Sequence, residues 1–434
     1  MRALLSAGVL IVLSIGVVVA APSSSPAGAA ATSFAGAERI DDDAHMVARN
    51  AAADVDSVGN AVAVWQFNGV IYGSRRPVGG SWSTPQQLIE TFVVDPDVVA
   101  LGEDGAAYFD VGMNSPEGDG IVVWSSDNTV HGTTVFGEGA AGRVAADRDG
   151  DVVAYTESAN SLTTYHFAAA GTDPVSDGWS SATKLRAFGS SRVTFGSGHT
   201  YYVAYPPDST GTDRRFRVDL VHGTTGDHVL LIHRRLCPSG SGRLAGYNIA
   251  AGRFGAVVLA WRCTSRTADV IDVQRISRTH RIGAVVQIAR SRLAGVTGRL
   301  SAPAVAQGPG SATVLFSRAT GANRRDILAV STDSDGMWRR PRIKVRDVVA
   351  RSAAAMTAQL DWSPDGAALL TYRNGGFDGT IWALRRLPGT AFRAPVQVFP
   401  GSARIRLGAV AANGAALVVR LKPDDRFVGR FAPA

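Results

Sequence analysis

The fold is decided by residues 56 to 85, which read DSVGNAVAVWQFNGVIYGSRRPVGGSWSTP. Short apolar runs alternate here with residues that form tight turns. The first turn ends at Gly59 and is followed by an apolar strand that closes on Trp65. A second hairpin is marked by Gly80 and Trp82. Turn residues between short runs of β-branched and aromatic residues are typical of antiparallel strands.

The same pattern recurs along the chain, with neighbouring copies separated by 45 to 57 residues. Its turn glycines are Gly59, Gly105, Gly150, Gly198, Gly255, Gly310, Gly366 and Gly414. A repeat of about fifty residues without amphipathic helices matches a four-stranded propeller blade. The sequence predicts an all-β fold, a single β-propeller of eight blades over residues 36–434. Seven blades is the alternative, because Gly120–Trp124 offers a second register in the second unit.

Two finer expectations follow from the repeats. The last unit has only three recognisable strands, so we expect Ala37–Ile40 to supply the fourth strand and close the ring. The dipeptides Asp365-Gly366 and Asn413-Gly414 predict two-residue hairpin turns in which both central residues adopt positive φ. The aromatic residue that follows the glycine of each second hairpin, such as Trp82, is expected to pack between neighbouring blades.

The segment from Asp56 to Pro85 resembles secreted bacterial β-propellers whose units read D-x-x-G-N-A-x-A-V-W and R-P-x-G-G-x-W-S-x-P. Ser331–Trp338 resembles the Asp-box of sialidase-like propellers, although Asp335 stands where that motif has glycine. Trp362–Gly366 resembles a turn of the propellers of the Tol translocation system, which are binding proteins. These resemblances imply the fold and leave the activity open.

The N-terminus predicts export. Met1 and Arg2 precede an apolar run, and small residues lead into Ala21 and Pro22. This pattern is typical of a cleavable signal peptide over residues 1–20, followed by a flexible Ala/Ser/Pro leader over residues 21–35. We therefore expect a secreted, extracellular protein without membrane insertion after cleavage; an uncleaved anchor helix is the alternative.

The two cysteines exclude a cysteine-rich scaffold, a four-thiolate zinc site and an iron–sulfur cluster, and no cofactor is expected. In an oxidising compartment Cys237 and Cys263 can form a disulfide, worth about 3.5 kcal/mol of chain entropy. Two free buried thiols is the alternative. Asp54 and Asp56 are interpreted as solvated turn acids, and Asp147–Asp151 as a hairpin turn rather than a calcium loop.

Charge is distributed unevenly along the chain. Acidic residues predominate in residues 1–217, basic residues predominate in residues 218–434, and no glutamate follows Glu157. In four successive units an arginine follows or replaces the aromatic residue of the second strand. We expect these arginines to form a cationic arc that binds an anion: Arg262, Arg318, Arg373 and Arg420. Two loops on the same face add further arginines: Arg214, Arg215, Arg324 and Arg325. Pairing with acids of adjacent blades is the alternative.

Arginine suits carboxylate and sulfate groups because its planar fork donates two parallel hydrogen bonds. The predicted function is therefore binding of an acidic polysaccharide or an extracellular protein, with no catalytic residue and no metal ligand assigned. Nucleic acid is not expected as the natural partner, and a monomer is expected, with self-association through opposite charges as a further hypothesis. A sialidase-like hydrolase or lyase is the alternative, with its carboxylates drawn from Asp208, Asp213, Asp269 and Asp378.

Overall fold

The structure is a computed structural model of the whole chain. The chain divides into two units, Met1–Ala30 and Ala31–Ala434, and every residue described here belongs to the second unit. The described residues are 34–44, 51–90, 99–102, 104–111, 120–135, 141–147, 150–157, 163–172, 178–185, 191–206, 215–237, 242–252, 254–295, 297–333, 335–349, 358–363, 365–375, 379–401, 406–421 and 426–434. None of them belongs to a helix long and apolar enough to cross a bilayer.

The strands form eight four-stranded antiparallel sheets, which are the blades of a β-propeller. The first four blades contain, in chain order, β2 (Ala51–Val55), β3 (Ala61–Phe67), β4 (Val70–Arg76), β5 (Gln86–Glu90); β6 (Val99–Leu101), β7 (Ala107–Val111), β8 (Gly120–Trp124), β9 (Val130–Val135); β10 (Ala141–Ala146), β11 (Val152–Glu157), β12 (Thr163–Ala168), β13 (Ser181–Leu185); and β14 (Arg192–Phe195), β15 (Thr200–Tyr205), β16 (Phe216–His222), β17 (His228–Arg234).

Blades 5 to 8 continue the same order. They contain β18 (Arg243–Ala251), β19 (Val257–Thr264), β20 (Ala268–Ile276), β21 (Ile282–Arg292); β22 (Ala304–Gln307), β23 (Ala312–Ala319), β24 (Arg324–Ser331), β25 (Arg342–Val349); β26 (Ala358–Trp362), β27 (Ala368–Asn374), β28 (Thr380–Arg386), β29 (Val396–Phe399); and β30 (Arg406–Val410), β31 (Ala416–Leu421), β32 (Phe427–Ala432), β1 (Glu38–Arg39). The eight-bladed prediction is confirmed, and Gly120–Trp124 is the third strand of blade 2.

The N-terminal strand closes the ring, as predicted. Glu38 and Arg39 of β1 pair antiparallel with Gly429 and Val428 of β32, so the first strand of the chain completes the last blade. The backbone N–H of Phe427 donates to the buried carboxylate of Asp41 at 2.9 Å, which extends this closure beyond the strand pair. Blade 8 thereby gains its fourth strand, and β1 covers the edge of β32 that would otherwise be unpaired.

The turns between first and second strands differ from the prediction in their backbone. Gly366 and Gly414 have φ of 94° and 92°, but Asp365 and Asn413 do not adopt positive φ. In blade 8 the N–H of Gly414 donates to the carbonyl of Ala411, and the N–H of Ala415 is accepted by Asn413 Oδ1. The prediction of two left-handed residues is therefore wrong. A right-handed turn followed by a single left-handed glycine connects the strands, and only the glycine needs the positive φ.

The hydrophobic core is distributed between neighbouring blades. Trp65 is fully buried between blades 1 and 8, with its ring 6.0 Å from that of Phe427. Trp261 is buried in the same way between blades 4 and 5. Trp82, the aromatic residue of the second hairpin of blade 1, is partly buried and packs against the same core between blades 8 and 1. Because each seam has its own core, the propeller is stabilised around the ring by a series of separate contacts.

Arginines at the end of the third strand link neighbouring blades. Arg75 of blade 1 donates to the carbonyls of Gly105 and Trp124 in blade 2, both at 2.6 Å, and lies 4.0 Å over the Trp124 ring. Arg385 of blade 7 donates to Gly414 O of blade 8 at 3.3 Å. Carbonyl groups are neutral acceptors, so neither arginine is paired with a negative charge in these contacts. Arg75 links the blades by hydrogen bonding and by stacking on Trp124, and Arg385 links them by hydrogen bonding.

The structure joins Cys237 and Cys263 in a disulfide. Cys237 lies in the crossing from blade 4 to blade 5, and Cys263 lies near the end of β19. The bond therefore fixes the crossing segment against blade 5, next to the buried core of that seam.

The antiparallel order gives the propeller two distinct faces. We call the face with the strand 1–2 and 3–4 turns the turn face; in blade 1 it contains residues 56–60 and 77–85. We call the face with the strand 2–3 loops and the blade crossings the loop face; in blade 5 it contains residues 265–267 and 293–299. Loops on a rigid scaffold are the usual location of binding sites.

Candidate functional site

The four arginines of the predicted arc lie at the loop-face ends of their second strands, but at different positions of the repeat. Counted from the turn glycine, Arg262 and Arg373 occupy matching positions, Arg318 lies one residue later, and Arg420 lies one residue earlier. Side chains of successive strand residues point to opposite faces of a sheet. Arg262 and Arg373 therefore point to one side of their blades, whereas Arg318 and Arg420 point to the other side.

All four arginines interact with other groups of the protein. Arg262 donates to the carbonyls of Ala245, at 3.0 Å, and Leu300. Arg420 donates to the carbonyl of Pro400 at 2.6 Å and lies 4.6 Å from the centre of the Phe399 ring.

Arg318 forms an ion pair with Asp326 at 3.2 Å, and Arg373 is half-buried near the end of β27. In these contacts the arginines support the ends of the strands. A single arc that binds a ligand stays a prediction.

The four loop arginines have different environments. Arg214 lies outside the described residues, and Arg215 is exposed just before β16. Arg324 forms an exposed ion pair with Asp347. Arg325 is 1% exposed and donates to Ser317 Oγ at 2.7 Å, while its Nε and Nη2 atoms are buried without a hydrogen-bond partner among the described residues.

Arg325 and Arg262 lie close enough to influence each other across the seam between blades 5 and 6. Burial, and secondarily the charge of Arg262, lowers the pKa of Arg325. The pKa of Arg262 is lowered by burial; Asp269 opposes this effect, and Arg299 and Arg243 add to it. This part of the loop face therefore concentrates positive charge in a partly dehydrated setting, where Coulomb interactions are stronger than in water.

Next to this seam, an open recess of about 550 Å³ lies on the loop face of blade 5. We call it the loop-face recess; it is lined by Gly242, Arg243, Thr264, Ser265, Arg266 and Arg299. Arg243 and Arg266 are exposed, whereas Arg299 is half-buried and donates to Thr264 Oγ1 at 2.8 Å. Three guanidinium groups, from the start of β18, one strand 2–3 loop and one blade crossing, thus border the same space.

Asp269 lies behind the loop-face recess and is fully buried. Its carboxylate accepts hydrogen bonds from Thr264 Oγ1 at 2.6 Å and from the N–H of Leu300 at 2.9 Å, and Arg299 lies 3.5 Å away. Both oxygens of the Asp269 carboxylate therefore help to hold the segment that crosses from blade 5 to blade 6. Asp208, Asp213 and Asp378, the other carboxylates of the hydrolase alternative, lie outside the described residues.

A second cavity, of about 300 Å³, lies where the inner strands converge at the turn face, and it holds two unusual carboxylates. Asp54 accepts the N–H of Leu101 at 2.9 Å, and Asp361 accepts the N–H of Val410 at 2.6 Å. Thr194 makes the same kind of bond to the N–H of Ala251 at 2.9 Å. Each side chain therefore connects the inner strand of its blade to that of the next blade.

Enclosure by the ring raises the pKa of Asp54 to about 6 and that of Asp361 to about 8, and the charge of Asp54 contributes to the second shift. Both residues touch the axial cavity and remain partly accessible to water. The interpretation of Asp54 as a solvated turn acid is therefore wrong. Asp56 is also buried, and it accepts the N–H groups of Val58, Gly59 and Asn60.

The Asp147–Asp151 segment forms a hairpin turn, in which the N–H of Asp151 donates to Asp147 Oδ1 at 2.8 Å. Throughout the described ranges, no group of three or more His, Cys, Asp or Glu side chains is arranged to hold a metal ion.

The sequence analysis did not assign Arg243, Arg266 or Arg299 to a site. Arg243 begins β18 and Arg299 lies in the crossing to blade 6, and no repeated residue pattern marks either position. Arg243 and Arg299 come together because the start of the first strand of blade 5 and the segment after its last strand lie on the same face of the propeller. Only the position of each arginine within the repeat could have indicated this proximity.

No protein family matches the sequence, and no curated protein matches it as a relative. Among solved structures, the Dos1 propeller is similar, with a TM-score of 0.54, 11% identity, and coverage of 91% of this chain and 95% of that chain. The BP39L lectin from Burkholderia pseudomallei has a TM-score of 0.51 and 14% identity, and the match covers 82% of this chain and 100% of that chain. At these identities the similarity establishes the class of fold, a β-propeller.

Proposed function

We propose that this protein is an exported lectin-like propeller that binds an anionic glycan at the loop-face recess. The observation that carries the proposal is the convergence of Arg243, Arg266 and Arg299 on one open space of about 550 Å³. Among the described residues, the carboxylate behind them is that of Asp269, which is fully buried, accepts hydrogen bonds from Thr264 and Leu300, and lies 3.5 Å from Arg299. Arg243 and Arg266 are exposed to solvent. Positive charge at this surface is therefore left for an external partner.

The recess suits carboxylate or sulfate groups better than a neutral sugar. Charge-assisted hydrogen bonds from arginine contribute roughly 1.5–3 kcal/mol each when they are shielded from water. The hydroxyl groups at the same rim are used within the protein, since Thr264 Oγ1 donates to Asp269 and Ser265 Oγ donates to the carbonyl of Ala268. The arginines are therefore the donors that the recess offers to a ligand. The fold shared with a lectin supports glycan binding, and the apolar run at residues 3–20 supports export.

The arc arginines extend the proposal. Arg262 lies beside the loop-face recess, and its charge adds to that of Arg243 and Arg299. A polymer bound at the recess would pass over the seam between blades 5 and 6. Long-range attraction to this basic region would speed association and would weaken as salt screens it.

The test is binding of polygalacturonate, dextran sulfate and neutral dextran to the full chain, measured by calorimetry at several salt concentrations. We expect the two anionic polymers to bind, with affinity falling steeply as salt increases. The variant R243A/R266A should lose at least tenfold in affinity. The matched control R278A/R281A removes the same charge from exposed positions on the turn face of the same blade and should bind nearly as well as the parent protein.

Equal losses in the two double variants would show that net charge, not the recess, attracts the polymers. Binding of neutral dextran with the same affinity, or duplex DNA binding with the same dependence on R243A/R266A, would contradict an anionic glycan as the ligand.

A further inference from the structure

A second basic cavity lies on the opposite face of the propeller, at the seam between blades 6 and 7. It measures about 350 Å³, and we call it the basic seam pocket. Five of its lining side chains are cationic: Arg339, Arg340, Arg342, Lys344 and Arg386. One carboxylate, Asp333, also lines it, and Asp333 Oδ1 already accepts the N–H groups of Asp335 and Met337. No carboxylate of the described residues forms an ion pair with any of these five cations.

Arg386 forms the inner wall of the pocket and is only 8% exposed. Its Nη1 atom donates to Thr313 Oγ1 at 2.7 Å and its Nη2 atom donates to Ser311 Oγ at 2.9 Å. Its Nε atom is buried without a hydrogen-bond partner among the described residues. Two of the five N–H donors of Arg386 thus bond to neutral hydroxyl groups and its Nε–H is buried without a partner among the described residues, an arrangement that an anion would stabilise.

Lys344 stands where other blades have an apolar residue. The pairing of β24 with β25 shifts between Ile327 and Leu328, so Lys344 is the extra residue of a β-bulge. The corresponding bulge residues, Leu88 in blade 1 and Val398 in blade 7, are buried in the core. Burial and the charges of Arg342 and Arg386 lower the pKa of Lys344. Lys344 therefore places a cation, close to other cations, at a position that is apolar and buried in blades 1 and 7.

The seam between blades 8 and 1 shows what these positions contain when the site neutralises itself. Arg76 corresponds to Arg386, since each pairs with the first residue of its second strand. Arg76 forms an ion pair with Glu38 at 3.2 Å. Glu38 corresponds in turn to Arg342 by the pairing of their strands. At the seam between blades 6 and 7, the internal carboxylate is thus replaced by a third cation.

We propose that the basic seam pocket binds a tetrahedral oxyanion, the sulfate or phosphate group of a ligand that approaches the turn face. Cations from two blades surround the space from several directions, which suits an anion with oxygens in three dimensions. The site lies on the face opposite the loop-face recess and involves none of its residues, so it goes beyond the proposed function and does not depend on it.

The test is calorimetric titration of the full chain with sodium sulfate, sodium phosphate and sodium acetate at constant ionic strength, with thermal unfolding in parallel. We expect saturable binding of sulfate or phosphate, and at least a tenfold loss of apparent affinity in R342E and in R386M. R342E supplies the carboxylate found at the other seam, at an exposed position. The control R278A removes an exposed arginine from the turn face of blade 5 and should retain binding.

Sulfate also stabilises proteins by exclusion from their surface, so a rise in unfolding temperature counts only if it saturates and depends on the variants. Absence of saturable binding, or equal binding by the parent protein, R342E and R386M, would overturn the proposal. Acetate binding as tightly as sulfate would contradict the tetrahedral assignment. The R243A/R266A variant should bind sulfate normally even if its glycan binding is lost.

Discussion

The seam between blades 8 and 1 and the seam between blades 6 and 7 each bury an arginine at the same position of the repeat, but in opposite electrostatic surroundings. At the first, the 7% exposed Arg76 side chain is paired with Glu38 and lies 4.4 Å from the centre of the Phe431 ring. At the second, Arg386 contacts hydroxyl groups and faces Arg342 and Lys344. The comparison teaches that the position in the repeat determines where an arginine is buried. The charge of the residue on the outer strand of the adjacent blade, Glu38 in one seam and Arg342 in the other, determines whether that arginine is paired within the protein.

A third seam provides the largest expected effect, because it is linked covalently. Reduction of the Cys237–Cys263 disulfide, or the C237A/C263A variant, should lower the free energy of unfolding by about 3.5 kcal/mol. The physical reason is the greater freedom of the unfolded chain between the two cysteines. Urea unfolding with and without reductant measures it. A loss below about 1 kcal/mol would mean that the disulfide contributes less to the free energy of unfolding than the Arg76–Glu38 ion pair does.

The next effect compares the two ionic seams directly. R76M retains the aliphatic part of the side chain and leaves Glu38 half-buried without its partner, so we expect a loss of about 2 kcal/mol. R386M removes a cation from among other cations and should cost less than about 1 kcal/mol in anion-free buffer. Chemical denaturation of both variants in low-salt buffer provides the measurement. Equal losses would mean that Arg386 acts as a structural clamp like Arg76.

A pH-dependent effect is expected at the axial cavity, where neither Asp54 nor Asp361 forms an ion pair with a described residue. The folded state raises the pKa of Asp361 to about 8, so folded protein retains a proton that unfolded protein releases above about pH 4. Stability should therefore fall relative to D361N as pH rises from about 4 to about 8. Asparagine keeps an oxygen for the N–H of Val410.

Urea unfolding of the parent protein and D361N between pH 4.5 and 9 checks this difference. D335N, which alters an exposed turn acid, serves as the control. If the parent protein and D361N show parallel pH profiles, Asp361 is ionised in the folded state at neutral pH.

Much of the fold could be predicted because its signals are local. Gly59, Gly366 and Gly414 mark turns, and the apolar run before Trp65 marks a strand whatever surrounds it. The closing strand could be predicted by counting, since the last unit lacked one strand and Ala37–Ile40 remained unused. The detailed turn conformation could not, because Asp365-Gly366 fits more than one hairpin turn, and the loop length that selects between them was not visible in the sequence.

The candidate sites were less accessible to sequence reasoning. Arg262 and Arg373 were identified from the repeat. The hydrogen-bond partners of Arg262 and Arg420 include Ala245 and Pro400, which lie in segments without repeat signals. Arg342 and Lys344 carry no pattern that separates them from other surface cations. Their significance appears only when their strand pairing is compared with that of Glu38 and Leu88.

The sequence by itself determined the repeat and the positions of the turns, because strand and turn preferences depend on neighbouring residues in the chain. The structure decided between eight blades and seven. Tertiary structure decided which charges share a space. Packing of each blade against its crossing segment brings Arg243 near Arg299, and packing of blade 7 against blade 6 places Arg386 beside Lys344. The energy of a charge depends on what surrounds it in three dimensions. Arg76 and Arg386, which occupy the same position of the repeat, therefore have different electrostatic surroundings that the repeat alone does not reveal.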